Sequence, residues 1–258
     1  MSKIMPVIFF GHGSPMNAIE DNAFSRAWAE MGKTLTRPQA ILCISAHWET
    51  DGTRITAMPQ PGTIHDFYGF PQPLYEKQYP APGAPDMARS IQQAIPDPVV
   101  QLDYEWGLDH GTWSVLCRMF PQADIPVVQV SLDFKLPPAE HYQMGQQLKY
   151  LRSQDVLIIG SGNMVHNLGN MAWQEAAFDW ARDFDTKLAS LIQAGDHQSL
   201  IDYQALGDSA PLAIPTNEHY LPLLYILALQ DKSDQLSFFC EKVTLGSISM
   251  RSLKLDTP

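Results

Sequence analysis

Cysteine is scarce and scattered in this chain: Cys43, Cys117 and Cys240 lie far apart among 258 residues, with no CxxC pair. An odd, dispersed set excludes a disulfide framework and a thiolate zinc knuckle, and it suits a reducing compartment. Two of the three sit within apolar runs, and the cysteines are expected as buried thiols. Basic residues are also few, 17 Lys and Arg against 28 Asp and Glu, for a formal charge of −11. Phosphate recognition needs a basic stripe, and none is visible, which argues against nucleic acid as the main ligand. No apolar run reaches the length of a membrane span, and Met1-Ser2-Lys3 leads straight into an apolar strand with no room for a secretory signal. The expected location is the cytoplasm. Internal repeats and low-complexity tracts are absent.

What remains is the composition of an ordinary globular protein, 45% hydrophobic and 17% charged, too apolar and aromatic for disorder. The length predicts a single domain over residues 1–258, near the upper size for one core. Strands are expected at about 6–10, 40–46, 99–102 and 126–132 and in the run leading toward His166. Helices are expected at about 22–31, 85–94, from 112, 138–151, 179–194 and 218–229, with strand pairs over 243–255. This alternation predicts an α/β fold, a mixed and largely parallel central sheet with helices on both faces. One long segment, residues 49–85, is rich in Pro and Gly and holds Phe67, Tyr68, Phe70, Tyr75 and Tyr79. A loop of that length in a compact domain is read as a lid or binding loop.

Three histidines each follow a run of β-forming residues: Val7 to His12, Ala40 to His47, and Val156 through a glycine-rich turn to His166. Strand ends on one rim of an α/β sheet are where ligands bind. Imidazole both ligates divalent metals and titrates near neutrality, so convergent histidines suggest a metal centre with an acid/base group beside it. Either residue of Glu218-His219, at the start of a late helix, is a candidate last ligand. His65-Asp66 and Asp109-His110 are candidates to orient a substrate or an imidazole through a carboxylate. His141 and His197 read as solvated. Arg26, Arg37 and Arg54 are candidates to pair a substrate carboxylate.

Seven motifs in order extend this reading. They are Gly-His-Gly-Ser-Pro-Met at 11–16, Ser-Ala-His-Trp at 45–48, Ile-His-Asp-Phe-Tyr-Gly-Phe-Pro at 64–71, Tyr-Pro-Ala-Pro-Gly at 79–83, Gly-Leu-Asp-His-Gly-Thr-Trp at 107–113, Gly-Ser-Gly-Asn-Met-Val-His-Asn at 160–167 and Glu-His-Tyr-Leu-Pro-Leu-Leu at 218–224. Together they resemble the 4,5-DOPA extradiol dioxygenases, class III ring-cleaving enzymes of LigB-type fold, over nearly the whole chain. The resemblance implies a mononuclear non-heme metal, ordinarily Fe(II), held by His12, His47 and a residue of the Glu218-His219 pair. His166 is then the acid/base, and His65 and His110 contact the substrate. The aligned third ligand is His219, where ring-cleaving prototypes carry a carboxylate; three histidines also suit Zn(II). The implied partners are a small catechol such as L-DOPA and O2, with 4,5-cleavage to a muconate semialdehyde, in a monomer or small homo-oligomer without nucleic acid or membrane. The rivals are a zinc hydrolase and a non-enzymatic, Memo-like metal-binding interaction protein.

Overall fold

A computed structural model describes residues 4–172 and 176–257. Its strands are β1 (Val7–Gly11), β2 (Ala40–Thr50), β3 (Arg54–Thr56), β4 (Gln101–Asp103), β5 (Val127–Asp133), β6 (Val156–Gly162), β7 (Gln235–Phe239), β8 (Val243–Thr244), β9 (Ile248–Ser249) and β10 (Ser252–Asp256). Eight of them form one sheet in the order β4-β3-β5-β2-β6-β1-β10-β7, and β8 pairs with β9. The inner strands β5, β2, β6 and β1 run parallel. Beyond them β10 joins β1, β7 joins β10 and β3 joins β5, all antiparallel. The expected α/β class with a mixed, largely parallel sheet is the observed one.

Parallel strands buried on both faces read as continuous apolar runs, because alternate side chains feed two different cores. Val7, Phe9, Leu42, Ile44 and Ile158 enter one buried cluster. Ile8, Phe10, Ile41, Cys43, Leu157 and Ile159 enter the other. Helices Pro85–Ala94, Pro138–Gln147, Asp179–Ala194 and Leu221–Ala228 cover the first face, and Ala23–Thr34 and His110–Met119 cover the second.

Local chemistry sets the ends that matter for the site. Asp109 caps the His110–Met119 helix by accepting from the Thr112 N–H at 3.1 Å, which puts His110 on the first turn. Strand β2 runs past its expected end to Thr50, with a register shift against β5 between Ile44 and Glu49. Irregularities of this kind re-aim side chains at a sheet rim, and His47 lies within this one. The last long helix begins at Leu221 rather than 218, with Pro222 in its first turn, so Glu218 and His219 belong to the preceding turn.

Several expectations are corrected. The 49–85 segment is not wholly loop: it contains β3 and a short helix, Gln72–Tyr75. The single apolar residue of Arg54-Ile55-Thr56 leaves no strand pattern, and pairing with β4 and β5 supplies the order instead. Strand β7 had no expectation because, as an edge strand, its side chains are only partly buried. His141 is fully buried, its Nδ1 3.1 Å from the Tyr225 hydroxyl. His197 is half-buried, with Nδ1 2.8 Å from the Tyr142 hydroxyl. Cys43 and Cys117 are buried thiols as expected, and Cys240 is half-buried. No helix among the described residues is long and apolar enough to cross a membrane.

Candidate metal centre

The carboxyl ends of β1, β2 and β6 open onto a cavity of about 420 Å³ lined by His12, His47, His110, His166 and His219. Two contacts bring distant segments together there. The His12 N–H donates to the Gly162 carbonyl at 3.0 Å, and the Asn163 N–H donates to the His219 carbonyl at 2.9 Å. Glycine is needed at 162 because a Cβ there would lie 2.1 Å from the His219 carbonyl oxygen.

Hydrogen bonds behind three of the rings fix which nitrogen each presents. Ser161 Oγ donates to the Gly111 carbonyl at 2.6 Å, so at 2.9 Å from His12 Nδ1 it must accept. The Asn163 amide donates to the Ser249 carbonyl at 2.7 Å, which turns its oxygen toward His219 Nδ1, 3.1 Å away. Asp66 receives both the backbone N–H and Nδ1–H of His110, each at 2.8 Å. The same carboxylate lies 3.6 Å from His47 Nδ1, outside hydrogen-bond reach. In the His12, His110 and His219 rings Nε2 therefore carries the lone pair, the arrangement that outer partners impose on metal-ligating histidine.

His12 and His47 face each other through Nε2 atoms 3.0 Å apart. With the His12 lone pair on Nε2, two nitrogens at that distance share either a proton from His47 or a cation between them. The ring centroids of His12, His47 and His219 form a nearly equilateral triangle with sides of 5.0, 5.1 and 5.0 Å. Three imidazoles on one metal at about 2.1 Å, with tetrahedral angles, would set their centroids roughly 5.2 Å apart. The donor set thus fits a metal ion. Ligand atoms of His12, His47 and His110 also lie within 4.8 Å of one another, as do those of His166, Glu218 and His219. The equal triangle distinguishes His219 from His110, whose ring lies 3.8 Å from His47 but 5.7 Å from His12.

The electrostatics favour neutral imidazoles. Burial, followed by the nearby histidines, holds His12 and His219 far below the ordinary value. Burial and His110 do the same to His47, with Asp66 opposing. His166 is lowered to about 4, by burial and then His110, and its ring stacks on His219 at 3.5 Å and 10°. Burial pushes the Asp66 carboxyl up, but hydrogen bonding and charge from His110, with His47, outweigh it and leave the carboxyl low.

The structure thus gathers His12, His47, His110, His166 and His219 at one cavity, and it leaves His65 outside the lining. His65 Nε2 lies 2.9 Å from the Lys77 carbonyl and its ring packs among Phe67, Tyr75 and Trp113, which ties down the aromatic segment. The two His/Asp pairs are crossed: Asp66, the neighbour of His65, serves His110. Asp109 instead accepts from Ser45 at 2.7 Å and Gln129 at 2.6 Å. Arg26, Arg37 and Arg54 pair with Asp21, Asp124 and Asp103, and none lines the cavity. Ser161 and Asn163 were not singled out from the sequence, although both lie in the 160–167 motif. Leu168, Met171, Leu245 and Ile248 also line the wall; the first two are isolated apolar residues near turns, and the last two lie in the expected 243–255 strand pairs, whose pattern marks packing rather than a site.

Comparison with known proteins agrees with this geometry. The family described as the catalytic LigB subunit of aromatic ring-opening dioxygenase matches residues 6–247. The chain is 46% identical to the 4,5-DOPA dioxygenase extradiol of Escherichia coli K12, covering 98% of this chain and 96% of that protein. It is 39% identical to the Beta vulgaris protein of the same name, covering 99% and 98%. A crystal structure of an uncharacterized Escherichia coli K12 protein superposes with a TM-score of 0.82 at 40% identity, covering 97% of this chain and 99% of that one. With its motifs, sheet and histidine cluster in agreement, the chain belongs to the LigB family of aromatic ring-opening dioxygenases.

Proposed function

We propose that this enzyme opens the ring of catechols, L-DOPA among them, by extradiol 4,5-cleavage with O2. In this reading His12, His47 and His219 hold Fe(II), His166 is the acid/base and His110 contacts the substrate. The observation that carries it is the equal triangle of imidazoles, with one further imidazole packed on His219 and another on His47. The names of the relatives support L-DOPA as one substrate, and the free thiols support a reducing, cytoplasmic setting.

The metal, when bound, supplies the charge that acidifies the two catechol hydroxyls and the redox contact with dioxygen, which Zn(II) lacks. His166 is neutral at pH 7, so it is ready to accept a hydroxyl proton and to return it as the ring opens. His110, held by Asp66, turns Nε2 toward the same cavity to receive a hydrogen bond from a substrate hydroxyl. Phe67, Phe70 and Ile248 give the ring apolar walls that exclude water.

The test is anaerobic loading of metal-free protein with Fe(II) or Zn(II), followed by oxygen uptake with L-DOPA and plain catechols. Uptake with a yellow product in the iron sample alone is expected. His166→Ala should keep the metal and lose at least about 100-fold in turnover. His219→Ala should lose the metal, and His110→Ala should retain it. Zinc-dependent ester hydrolysis without oxygen uptake would favour a hydrolase instead, and tight metal binding without any turnover would favour a binding protein.

A further inference from the structure

We propose that Tyr68 sets which ring substituents this enzyme accepts: its ring lies along the substituent, and its hydroxyl donates a hydrogen bond to a carboxylate at the far end. This inference rests on the ring-cleaving reading and assigns the part of the cavity that the two catechol hydroxyls do not reach. In L-DOPA the side chain leaves the ring on the side away from the hydroxyls. With both hydroxyls at the histidines, that chain points toward the mouth of the cavity. Tyr68 and Leu168 mark the mouth, because both line the cavity and yet are 92% and 62% exposed.

The local fold explains why Tyr68 stands there. The residues before it are pinned. Asp66 accepts the backbone N–H and the Nδ1–H of His110. Phe67 packs against Phe70, Tyr75 and Trp113, and its carbonyl accepts from the Tyr75 hydroxyl at 3.4 Å. Gly69, the residue after it, has φ of +79°, in the left-handed region that favours glycine, and nothing beyond its chain neighbours lies within 4 Å of the place a Cβ would take. Tyr68 is thus carried into open space at the tip of a bend whose base is fixed before substrate arrives, which keeps the ordering cost of a contact there small. A substituent that covers its ring removes apolar surface from water on both sides of the contact. The hydroxyl makes no hydrogen bond to any described residue, so its proton is available, and a phenol O–H to a carboxylate makes a charge-assisted bond. Tyrosine suits such a position, with an apolar body against the substrate and a polar tip that stays wet until the substrate replaces water.

The experiment compares L-DOPA with dopamine, which lacks only the carboxylate, and with plain catechol, which has no substituent. On iron-loaded enzyme, Tyr68→Phe should raise KM for L-DOPA by about tenfold or more, the scale of a hydrogen bond to a charged group, and should affect dopamine far less. Tyr68→Ala should raise KM for dopamine as well, by about threefold or more as apolar cover is lost, and plain catechol should respond least. The losses should fall on KM rather than kcat, because the contact is made equally before and during the reaction. Anaerobic calorimetry on zinc-loaded protein should give the same order of affinities without any turnover. Both variants should keep the wild-type unfolding midpoint, since the side chain is almost wholly exposed. An unchanged KM for L-DOPA in Tyr68→Phe, or an equal loss with plain catechol in Tyr68→Ala, would overturn the proposal. Binding in the expected order with no oxygen uptake from any catechol would sink the ring-cleaving reading while leaving the role of Tyr68 intact.

Discussion

The behaviour of single side chains at this site follows from what stands behind each ring. Asn163 is the clearest case: its amide is oriented by the Ser249 carbonyl, so its oxygen can only accept from His219 Nδ1. That leaves the His219 Nε2 lone pair for a metal at no cost in tautomer selection. Asn163→Ala should weaken metal binding by about 10–100-fold, as loss of such outer partners does, and a competition titration against a chelator would measure it. The same affinity in the variant would mean that ring packing alone aims His219. The sequence showed the rings better than their partners. His12, His47 and His166 were visible because each follows a β-forming run, whereas the Asp66–His110 contact spans 44 residues and depends on how the aromatic segment folds back.

At the level of elements, the site depends on strand ends that approach turns closely. Gly162 ends β6, and the turn carrying His219 crosses it with no room for a methyl group. The obstructing atoms are backbone, so they cannot rotate away as a flexible side chain would. Gly162→Ala should push the His219 turn off β6, cost about 1–3 kcal/mol by overpacking and weaken metal binding at the same time. Denaturant unfolding and metal titration on one preparation test both effects; a change in stability with unchanged metal affinity would show that the His219 turn moves independently of β6. Most elements were legible because they carry strong periodicity, as in the Asp179–Ala194 helix, or long apolar runs, as in β5 and β6. The exceptions are elements ordered by pairing rather than by pattern. Strand β3 has only one buried apolar side chain in the middle of a hydrogen-bonded trio, and the turn before Leu221 is set by Pro222, too subtle a signal to separate from the helix that follows.

For the whole molecule, two cores on opposite faces of one sheet bury histidines both inside and outside the site, and this makes stability depend on pH. His141 is the instructive one because it does not line the histidine cavity and, from the Pro138–Gln147 helix, packs against Tyr225 of the Leu221–Ala228 helix. Burial lowers it to about 4, against the Asp133 charge and backbone hydrogen bonds to Asp133 and Leu136, which raise it. In the unfolded chain the same ring titrates near 6.5. Above that value neither state holds the proton and the folded protein keeps its full stability. Between about 6.5 and 4 the unfolded chain takes up a proton that the native state refuses, so stability falls as pH falls, by about 3 kcal/mol at the lower end from this group. His12, His47 and His219 are lowered for the same reason, so metal-free protein should lose still more over the same interval. A bound metal would remove that part, because ligated nitrogens no longer compete for protons until the metal leaves. Urea unfolding of metal-free and metal-loaded protein at pH 7, 6, 5 and 4 should therefore show a steeper decline without metal. His141→Gln should flatten both curves by a similar amount, since it lies outside the histidine cavity. If His141→Gln leaves the pH dependence of the loaded protein unchanged, the buried ring carries its proton in the native state and its burial costs little.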